Sequence, residues 1–473
     1  MQDQNVPLCV DLDGTLIRSD VTIETALALL RRNPLNLFRF IFWLVKGRAH
    51  LKREIATRTQ VHVSRLPYDQ RVLDWLRGGA ATRHRVLCTA SDQSLADAVA
   101  AHVGVFDEVL GSDGSRNIGG RGKRDALRDR WGERGFDYAG NAATDLHVWR
   151  HARHAIVVNA PPSLLRRVRR ERDVERVFAR EGGGWRAWIA ALRPHQWLKN
   201  ALVFVPLLAA HLVLVPDAVV RAAAAFVAFS LCASGAYVFN DLFDLDADRR
   251  HPRKRLRPFA AGTLPLGQGL IAAPLLMLAA FACAFLLSPQ FALIVLSYAA
   301  ITLAYSLFLK RIAMLDVVTL AVLYTLRIIA GAIVIPVEAS FWLLAFSMFL
   351  FLSLAMVKRY IEVHRVGASD EGKVAGRGYR ISDLTLIQSL GTSSGYLSVL
   401  VLAFYINSTA STALYRHHEF LWMLTPLLLY WISRVWLIAQ RGDMHDDPVV
   451  FALTDRVSLV VLAVFAAVIV FAI

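Results

Sequence analysis

The sequence predicts two domains of different class: an N-terminal α/β domain with a helical insert, and a C-terminal all-α membrane domain of about nine transmembrane helices. Hydrophobic residues make up 55% of the 473 residues and the mean hydropathy is +0.42, which is high for a soluble protein. The apolar residues are concentrated after residue 200, whereas the chain before about residue 190 has a mixed composition. Disordered, collagen-like and disulfide-stapled classes are therefore excluded.

The N-terminal domain, placed at residues 1–160, alternates short apolar segments with helical patterns. This alternation predicts a parallel sheet, whose ligands bind beyond the carboxyl ends of the strands. Strands are expected at 6–10, 85–89, 136–140 and 155–159. Residues between about 18 and 84 form the helical insert.

The membrane domain, placed at residues 191–473, follows a basic linker at 161–190 that contains Pro161, Pro162 and Gly182 to Gly184. Nine apolar segments approach spanning length, at 200–218, 221–241, 266–287, 290–308, 315–336, 341–358, 384–406, 419–438 and 455–473. Basic residues are concentrated after every second segment. The positive-inside tendency therefore predicts a multi-pass protein of the inner (plasma) membrane, with these loops and the N-terminal domain in the cytoplasm.

The net charge of +15 comes largely from the linker and from these loops, where anionic lipid headgroups are close. We therefore expect membrane lipid and phosphorylated substrates as partners, and no nucleic acid. The four cysteines have no metal-ligand spacing and are expected to be reduced.

One apolar segment, Leu35 to Val45, is too short to span a bilayer and contains Arg39. Two interpretations are open: a core helix of the insert, or an apolar surface that docks on the membrane.

Residues suited to phosphoryl transfer follow the predicted strands. Asp11 and Asp13 come directly after the first strand, and Gly14 permits a turn there. One carboxylate can attack phosphorus while the other serves as acid and base, and Mg²⁺ with a lysine would offset the negative charge. Residues of the required types come later in the chain, namely Thr89, Lys123 and Asp145.

This pattern, over residues 5 to 160, resembles the haloacid dehalogenase (HAD) superfamily of phosphatases. The resemblance implies that Asp11 is the nucleophile, Asp13 the acid/base, Thr89 a phosphate-binding hydroxyl and Lys123 the neutralising lysine. It also implies that a Mg²⁺ ion is held by Asp11, Asp13 and Asp145, and that the insert is a cap that shapes substrate choice. Asn141 stands where the family usually has an aspartate, so both weaker metal binding and an inactive domain stay open.

A second acidic cluster ends the second apolar segment. Asp241, Asp244 and Asp248 are spaced i, i+3 and i+7, which predicts one helical face, with Asn240 at its edge. Three like charges beside a bilayer require protonation or a divalent cation. An oxygen-only ligand set suggests Mg²⁺ carrying a diphosphate, and the basic stretch that follows, residues 249–257, suits anion binding.

The NDxxDxxxD pattern resembles the UbiA superfamily of intramembrane prenyltransferases, and within it the decaprenyl-phosphate phosphoribosyltransferases. The residues that carry the resemblance are RPHQWLKN at 193–200, the segment 240–262, RIIAGA at 327–332, VKRYIEVH at 357–364 and DPVVFALTDR at 447–456. The resemblance implies a Mg²⁺-bound donor diphosphate on the three aspartates. Substrate contacts are expected from Arg193, Lys199, Asn240, Lys254, Arg255, Lys358, Arg359 and Glu362.

The leading interpretation is a bifunctional enzyme that moves 5-phosphoribose from phosphoribosyl diphosphate to a polyprenyl phosphate and then dephosphorylates the product with its HAD domain. An aromatic polyprenyltransferase using an isoprenyl diphosphate is an alternative, although such enzymes usually carry a second DxxxD motif where this chain has Lys358 to Glu362. A non-catalytic membrane scaffold is the third interpretation.

Overall fold

The computed structural model describes residues 6–59, 61–367, 377–444 and 447–473. The chain divides into two compact units, which are described separately. The first comprises Met1–Leu192 and Tyr237–Ala273, and the second comprises Arg193–Ala236 and Pro274–Ile473. The aspartate motif at 241–248 is therefore part of the first unit.

A six-stranded parallel sheet, in the order β3-β2-β1-β4-β5-β6, forms the centre of the first unit. The strands are β1 (Leu8–Val10), β2 (Arg85–Asp92), β3 (Glu108–Ser112), β4 (Asp137–Gly140), β5 (Ala155–Val158) and β6 (Val174–Phe178). The four predicted strands are confirmed as β1, β2, β4 and β5, and the structure adds β3 and β6. Because β6 pairs with β5, the sheet continues into the 161–190 segment that the sequence predicts to be a linker.

Helices cover both faces of this sheet, since alternate strand residues point to opposite sides. Val10 and Leu87 are in one buried cluster, whereas Cys9 and Val86 are in another with Trp149. The helices are α1 (Val21–Arg32), α2 (Asn36–Val45), α3 (Arg48–Arg58), α4 (Gln70–Arg77), α5 (Gln93–Val103), α6 (Arg121–Trp131), α7 (Leu146–Trp149), α8 (Pro162–Glu171) and α9 (Gly184–Leu192). The predicted helical insert therefore contains α1 to α4.

The rest of the chain is helical. Its helices are α10 (Val205–Ala209), α11 (Pro216–Phe243), α12 (Leu245–Arg250), α13 (Leu266–Leu287), α14 (Pro289–Leu307), α15 (Leu315–Val334), α16 (Phe341–Gly367), α17 (Leu384–Ile406), α18 (Thr409–Leu414), α19 (Leu424–Gln440), α20 (Pro448–Thr454) and α21 (Arg456–Ala472). Among the described residues, seven helices are long and apolar enough to cross a membrane, or eight if α20 and α21, bent by 74°, form one span. The chain is thus a multi-pass membrane protein, and its described residues contain seven or eight candidate spans where nine are predicted.

The segment 200–218 accounts for part of this difference. It forms a 3₁₀ helix, Pro194–Phe204, followed by the short α10, and no continuous membrane-length helix. Pro206 has no N–H to donate to a preceding turn, which favours a new helix start at this point. The backbone also packs tightly here, because a Cβ added at Gly331 would lie 2.1 Å from the Val203 carbonyl oxygen.

Candidate functional sites

The predicted phosphoryl-transfer residues meet at the carboxyl edge of the sheet. Lys123 Nζ donates to Asp11 Oδ1 at 2.7 Å and to the Tyr138 hydroxyl at 2.8 Å. That hydroxyl donates in turn to Asp145 Oδ1 at 3.0 Å. Lys123 therefore links the two carboxylates, Asp11 directly and Asp145 through Tyr138, a residue that the sequence motif did not identify.

Asp13 joins this edge to the first helix of the insert. Its Oδ1 accepts the backbone N–H of Val21, the first residue of α1, at 2.7 Å. Its Oδ2 accepts the hydroxyls of Ser91 at 2.8 Å and Thr89 at 3.4 Å. Thr89 thus lies beside Asp13, and Ser91 is a further hydroxyl at the site.

Burial changes the acidity of both aspartates. It raises the pKa of Asp11 to about 7, although the Lys123 ammonium acts in the opposite direction. It also raises the pKa of Asp13 to about 7, against the hydrogen bonds from Val21 and Ser91. Asp13 can therefore carry a proton near neutral pH, which general acid catalysis requires.

Asp145 and Asn141 supply oxygen atoms of the type that binds magnesium. Asp145 Oδ2 is held by the backbone N–H groups of Asn141 at 3.0 Å and Ala142 at 2.9 Å. Asn141 packs against the turn after Asp11, since a Cβ added at Gly14 would lie 1.9 Å from Asn141 Nδ2. Among the described residues, Asn141 Oδ1 is a buried oxygen without a hydrogen-bond donor. Amide and carboxylate oxygens are ligands of the kind that Mg²⁺ prefers. Within the described part of the chain, however, Asp11, Asp13 and Asp145 do not form a group of three with ligand atoms within 4.8 Å of one another.

A lysine of the insert reaches the same edge. Lys52, on α3, donates to the Ala90 carbonyl oxygen at 2.6 Å and to Asn117 Oδ1 at 3.2 Å. Burial lowers the pKa of Lys52, while Asp13 and Asp20 act against that change. No local motif marks this lysine, so its position could be found only from the fold.

The aspartate motif bends the membrane helix. Helix α11 ends at Phe243 and α12 begins at Leu245, with Asp244 between them at φ −100° and ψ 13°. The helix that the spacing assumes is therefore interrupted at Asp244, and a shared face for the three aspartates stays a prediction. The backbone hydrogen bonds from Asp244 to Asn240 and from Asp248 to Asp244 continue through the bend, at 2.9 and 2.8 Å.

Two of these aspartates share one cationic atom. Arg257 Nη1 donates to Asp241 Oδ1 at 3.2 Å and to Asp248 Oδ2 at 2.7 Å. Two carboxylates that both reach one cation form an oxygen-only donor set suited to Mg²⁺. Asp244 instead pairs with Arg31 of α1 at 3.3 Å. Arg257 was not among the predicted site residues, whereas the predicted Lys254 and Arg255 are exposed.

The three aspartates do not form a preassembled metal cluster. Among the described residues, the group of three ligand types within 4.8 Å of one another is Asp137, His154 and Glu175. Asp137 already accepts hydrogen bonds from Arg83 and Arg153, which makes this group an ion-pair network.

The insert contacts the aspartate motif at two further points. Glu24 of α1 forms a two-pronged pair with Arg249, with both N–H donors 2.7 Å from the carboxylate oxygens, and both side chains are buried. Arg65 donates to Asp246 Oδ1 at 2.9 Å. Helix α1 thus extends from Asp13 at its first residue to the aspartate motif at its last turn.

In the second unit, two predicted lysines meet at one carboxylate. Lys199 Nζ and Lys358 Nζ lie 2.6 and 2.7 Å from Asp447 Oδ2. Asp447 was noted within the DPVVFALTDR segment but was not predicted to be a site residue. The sequence contains no sign of this contact, since the three residues are far apart along the chain.

Other predicted cations of this unit have different surroundings. Arg359 is fully buried, with Nε 2.8 Å from Asp316 Oδ2, and it also pairs with Glu362. These ion pairs hold Arg359 inside the helical domain, and its contact with a substrate phosphate stays a prediction. Arg193 is half-buried at φ 53°, immediately before the 3₁₀ helix.

Comparison with known proteins agrees with the membrane architecture. Residues 201–462 match the UbiA prenyltransferase family. The chain is 38% identical to the uncharacterized protein y4nM of Sinorhizobium fredii, over 98% of this chain and 90% of that one. It is 32% identical to the decaprenyl-phosphate phosphoribosyltransferase of Mycobacterium tuberculosis, over 57% of this chain and 88% of that one. A structure of a UbiA homolog from Archaeoglobus fulgidus bound to GPP and Mg²⁺ aligns with 15% identity and a TM-score of 0.46, covering 60% of this chain and 97% of that chain. The chain belongs to the UbiA prenyltransferase family.

Proposed function

We propose that this protein transfers 5-phosphoribose from phosphoribosyl diphosphate to a polyprenyl phosphate, with Mg²⁺ as cofactor. The observation that carries the proposal is the convergence of Lys199 and Lys358 on one oxygen of Asp447. Two ammonium groups directed at one point bind a phosphate when that anion replaces the carboxylate. The relationship to the phosphoribosyltransferase of M. tuberculosis supports the choice of donor and acceptor.

The aspartate motif is proposed to serve the donor. Asp241, Asp244 and Asp248 would hold Mg²⁺, which neutralises negative charge on the departing diphosphate when it is bound. Arg257 neutralises Asp241 and Asp248 until then. The lipid phosphate oxygen forms a bond to the anomeric carbon while the bond from that carbon to the diphosphate breaks. No general base is needed, because the phosphate nucleophile is already ionised at neutral pH.

The N-terminal domain is proposed to remove the 5-phosphate of the lipid-linked product. An Asp11 oxygen forms a bond to phosphorus, and the ribose oxygen leaves with a proton from Asp13. Water then attacks the aspartyl phosphate and gives its proton to Asp13, which releases inorganic phosphate. Lys123, 2.7 Å from Asp11, offsets the charge of the approaching phosphate. The pKa of about 7 at Asp13 suits both proton transfers.

We place this chemistry on the cytoplasmic side of the plasma membrane. The support is the basic segment Arg249 to Arg257, which begins in the short α12 after α11, together with the positive-inside tendency.

The proposal is tested with the purified full-length protein, labelled phosphoribosyl diphosphate and polyprenyl phosphate. Asp241→Asn and Asp248→Asn are expected to abolish lipid labelling. The matched control is Asp217→Asn, which removes an exposed aspartate of the same helix and should leave labelling unchanged. Asp11→Asn should accumulate lipid that retains the 5-phosphate; if it accumulates none beyond the wild type, the sequential scheme is refuted.

The same assay separates the alternatives. An aromatic polyprenyltransferase would instead consume an isoprenyl diphosphate with 4-hydroxybenzoate. Inertness toward both donors would support a scaffold and refute the proposed transfer.

A further inference from the structure

The surface of the N-terminal domain has one concentration of exposed apolar side chains. Within the described part of residues 6–192, the exposed large apolar residues are Leu35, Leu37, Phe38, Ile41, Phe42, Leu44 and Val45, with Trp185 and Ile189 on α9. Those of the first group are between 52% and 82% exposed. A contiguous apolar patch of this kind marks an interaction surface.

Helix α2, which carries this patch, is also anchored on its inner side. Trp43 is only 6% exposed and belongs to a buried cluster with Leu29 of α1 and Ile55 of α3. The exposed side is therefore a second apolar face of a packed helix. Apart from the buried Asn36 and the exposed Arg39, the side chains of α2 are apolar, so both its inner and its outer face require apolar surroundings.

The elements next to α2 connect it to the ends of two membrane helices. Leu27 of α1 lies in a buried cluster with Val238 and Leu242 from the end of α11 and Leu266 from the start of α13. Both α11 and α13 are candidate membrane spans. Because spans end at the membrane surface, the elements packed on these ends lie close to lipid headgroups.

Helix α9 packs on the same cluster through Ala191, with Trp188 beside it. Its exposed Trp185 has the Arg186 guanidinium 5.6 Å from the ring centre. On α2, the ammonium group of Lys46 is 4.7 Å from the Phe42 ring centre. Aromatic rings bordered by cations are typical of the interface between lipid tails and anionic headgroups.

We propose that the exposed face of α2 is inserted into the lipid interface, with Phe38, Ile41, Phe42 and Val45 among the acyl chains. The occupant is the bilayer, because the exposed apolar residues lie on α9, which packs on the ends of the spans, and on α2, which packs on α1 beside them. The next helix, α3, carries Lys52 to the phosphoryl-transfer edge. Insertion therefore holds that edge close to the membrane surface.

The direct test uses the full chain in nanodiscs of phosphatidylcholine and phosphatidylglycerol, one copy per disc. An environment-sensitive fluorophore is attached to Ile41→Cys in a Cys283→Ala background, since the other cysteines are buried. The matched control is Asp129→Cys on α6, a position with a 67% exposed side chain. Lipids with a quencher on the acyl chain should quench the probe at 41, while a water-soluble quencher should reach only the probe at 129.

The proposal is overturned if the probe at 41 is as accessible to the aqueous quencher as the probe at 129. Shielding that appears only when two copies share a disc also overturns it, since the occupant would then be a second copy.

A second experiment measures how membrane insertion affects dephosphorylation of the lipid-linked product, and it rests on the proposed function. Phe38→Asp with Ile41→Asp changes only exposed side chains, so the fold should persist. Hydrolysis of soluble p-nitrophenyl phosphate should be unchanged, whereas dephosphorylation of lipid-linked phosphoribose should fall by about tenfold or more as effective concentration is lost. Equal rates of lipid-linked turnover in variant and wild type would refute this consequence. If neither form hydrolyses either substrate, the proposed function fails, and the quenching experiment still decides the insertion.

Discussion

Asp447 is predicted to keep two lysines together until an anion takes its place. Lys199 Nζ and Lys358 Nζ lie 2.6 and 2.7 Å from the same Oδ2 atom, so the two ammonium groups are at most about 5.3 Å apart. At an effective dielectric constant of about 20, two unit charges at that separation repel by about 3 kcal/mol. Asp447→Asn removes the compensating charge and retains a hydrogen-bond acceptor.

The assay is thermal unfolding of the full-length protein in detergent. A loss of about 3 kcal/mol should lower the unfolding midpoint by about 6 to 12 °C for a domain of this size. Pyrophosphate should restore much of the loss in Asp447→Asn, because its oxygens can take the position of the carboxylate between the lysines.

Asp217→Asn is the matched control. It removes an exposed aspartate that pairs with Arg221 in the same unit, and exposed pairs contribute little to stability. If Asp447→Asn unfolds at the wild-type temperature and pyrophosphate has no effect, the two lysines are not an anion site and the observation that carries the proposed function is lost.

Three further predictions concern the first unit. Gly14→Ala should abolish p-nitrophenyl phosphate hydrolysis but leave lipid labelling intact. Gly14 has φ +78°, and an added Cβ would lie 1.9 Å from Asn141 Nδ2. Retained hydrolysis in the variant would contradict this prediction. Glu24→Gln should destabilise the first unit by about 3–5 kcal/mol, because it leaves the largely buried Arg249 guanidinium without its carboxylate partner. Limited proteolysis would detect this destabilisation, with Ser115→Ala as the surface control. Asp69 should stabilise the folded state above about pH 4. Burial alone would raise its pKa, but hydrogen bonds from neighbouring side chains hold the folded pKa below the unfolded value. The stabilisation by Asp69 is therefore lost as the pH falls through the folded pKa. Asp69→Asn should therefore flatten acid unfolding followed by tryptophan fluorescence, and an unchanged acid limb would refute the assignment.

Local sequence patterns predicted four strands of the sheet and placed the candidate residues of the first site near one another, because strand ends carry short-range signals. Asp11 and Asp145 come after apolar strands and Thr89 lies within β2, and parallel strands bring their carboxyl ends to one edge. The strand β6 is not predicted because VERVF lies within an arginine-rich stretch and none of its residues is fully buried: three are half-buried and two are exposed. Its pairing with β5 is a tertiary contact that periodicity does not encode.

The contacts of the aspartate motif and those of the two lysines could not be predicted from the sequence, because each joins segments that are far apart along the chain. The spacing of the aspartates assumed an unbroken helix, whereas Asp244 lies at a bend and pairs with Arg31. Arg257 and Asp447 take their roles from partners that the chain brings together only after folding. A basic residue in a loop looks the same in sequence whether it faces solvent, as Arg255 does, or bridges carboxylates.

The length of helix α1 gives the approximate distance between the phosphoryl-transfer site and the aspartate motif. Its first N–H is bound by Asp13 of the phosphoryl-transfer site, and Arg31 in its last turn pairs with Asp244 of the aspartate motif. The helix between Val21 and Arg31 is about 15 Å long at 1.5 Å per residue. A phosphoribosyl group carried on a lipid that stays in the membrane would cover this distance far faster than a product that dissociates and rebinds. If the two steps are coupled in this way, excess free lipid-linked phosphoribose added during turnover should compete poorly with product made on the same molecule. Efficient competition would show that the product leaves the protein between the two steps.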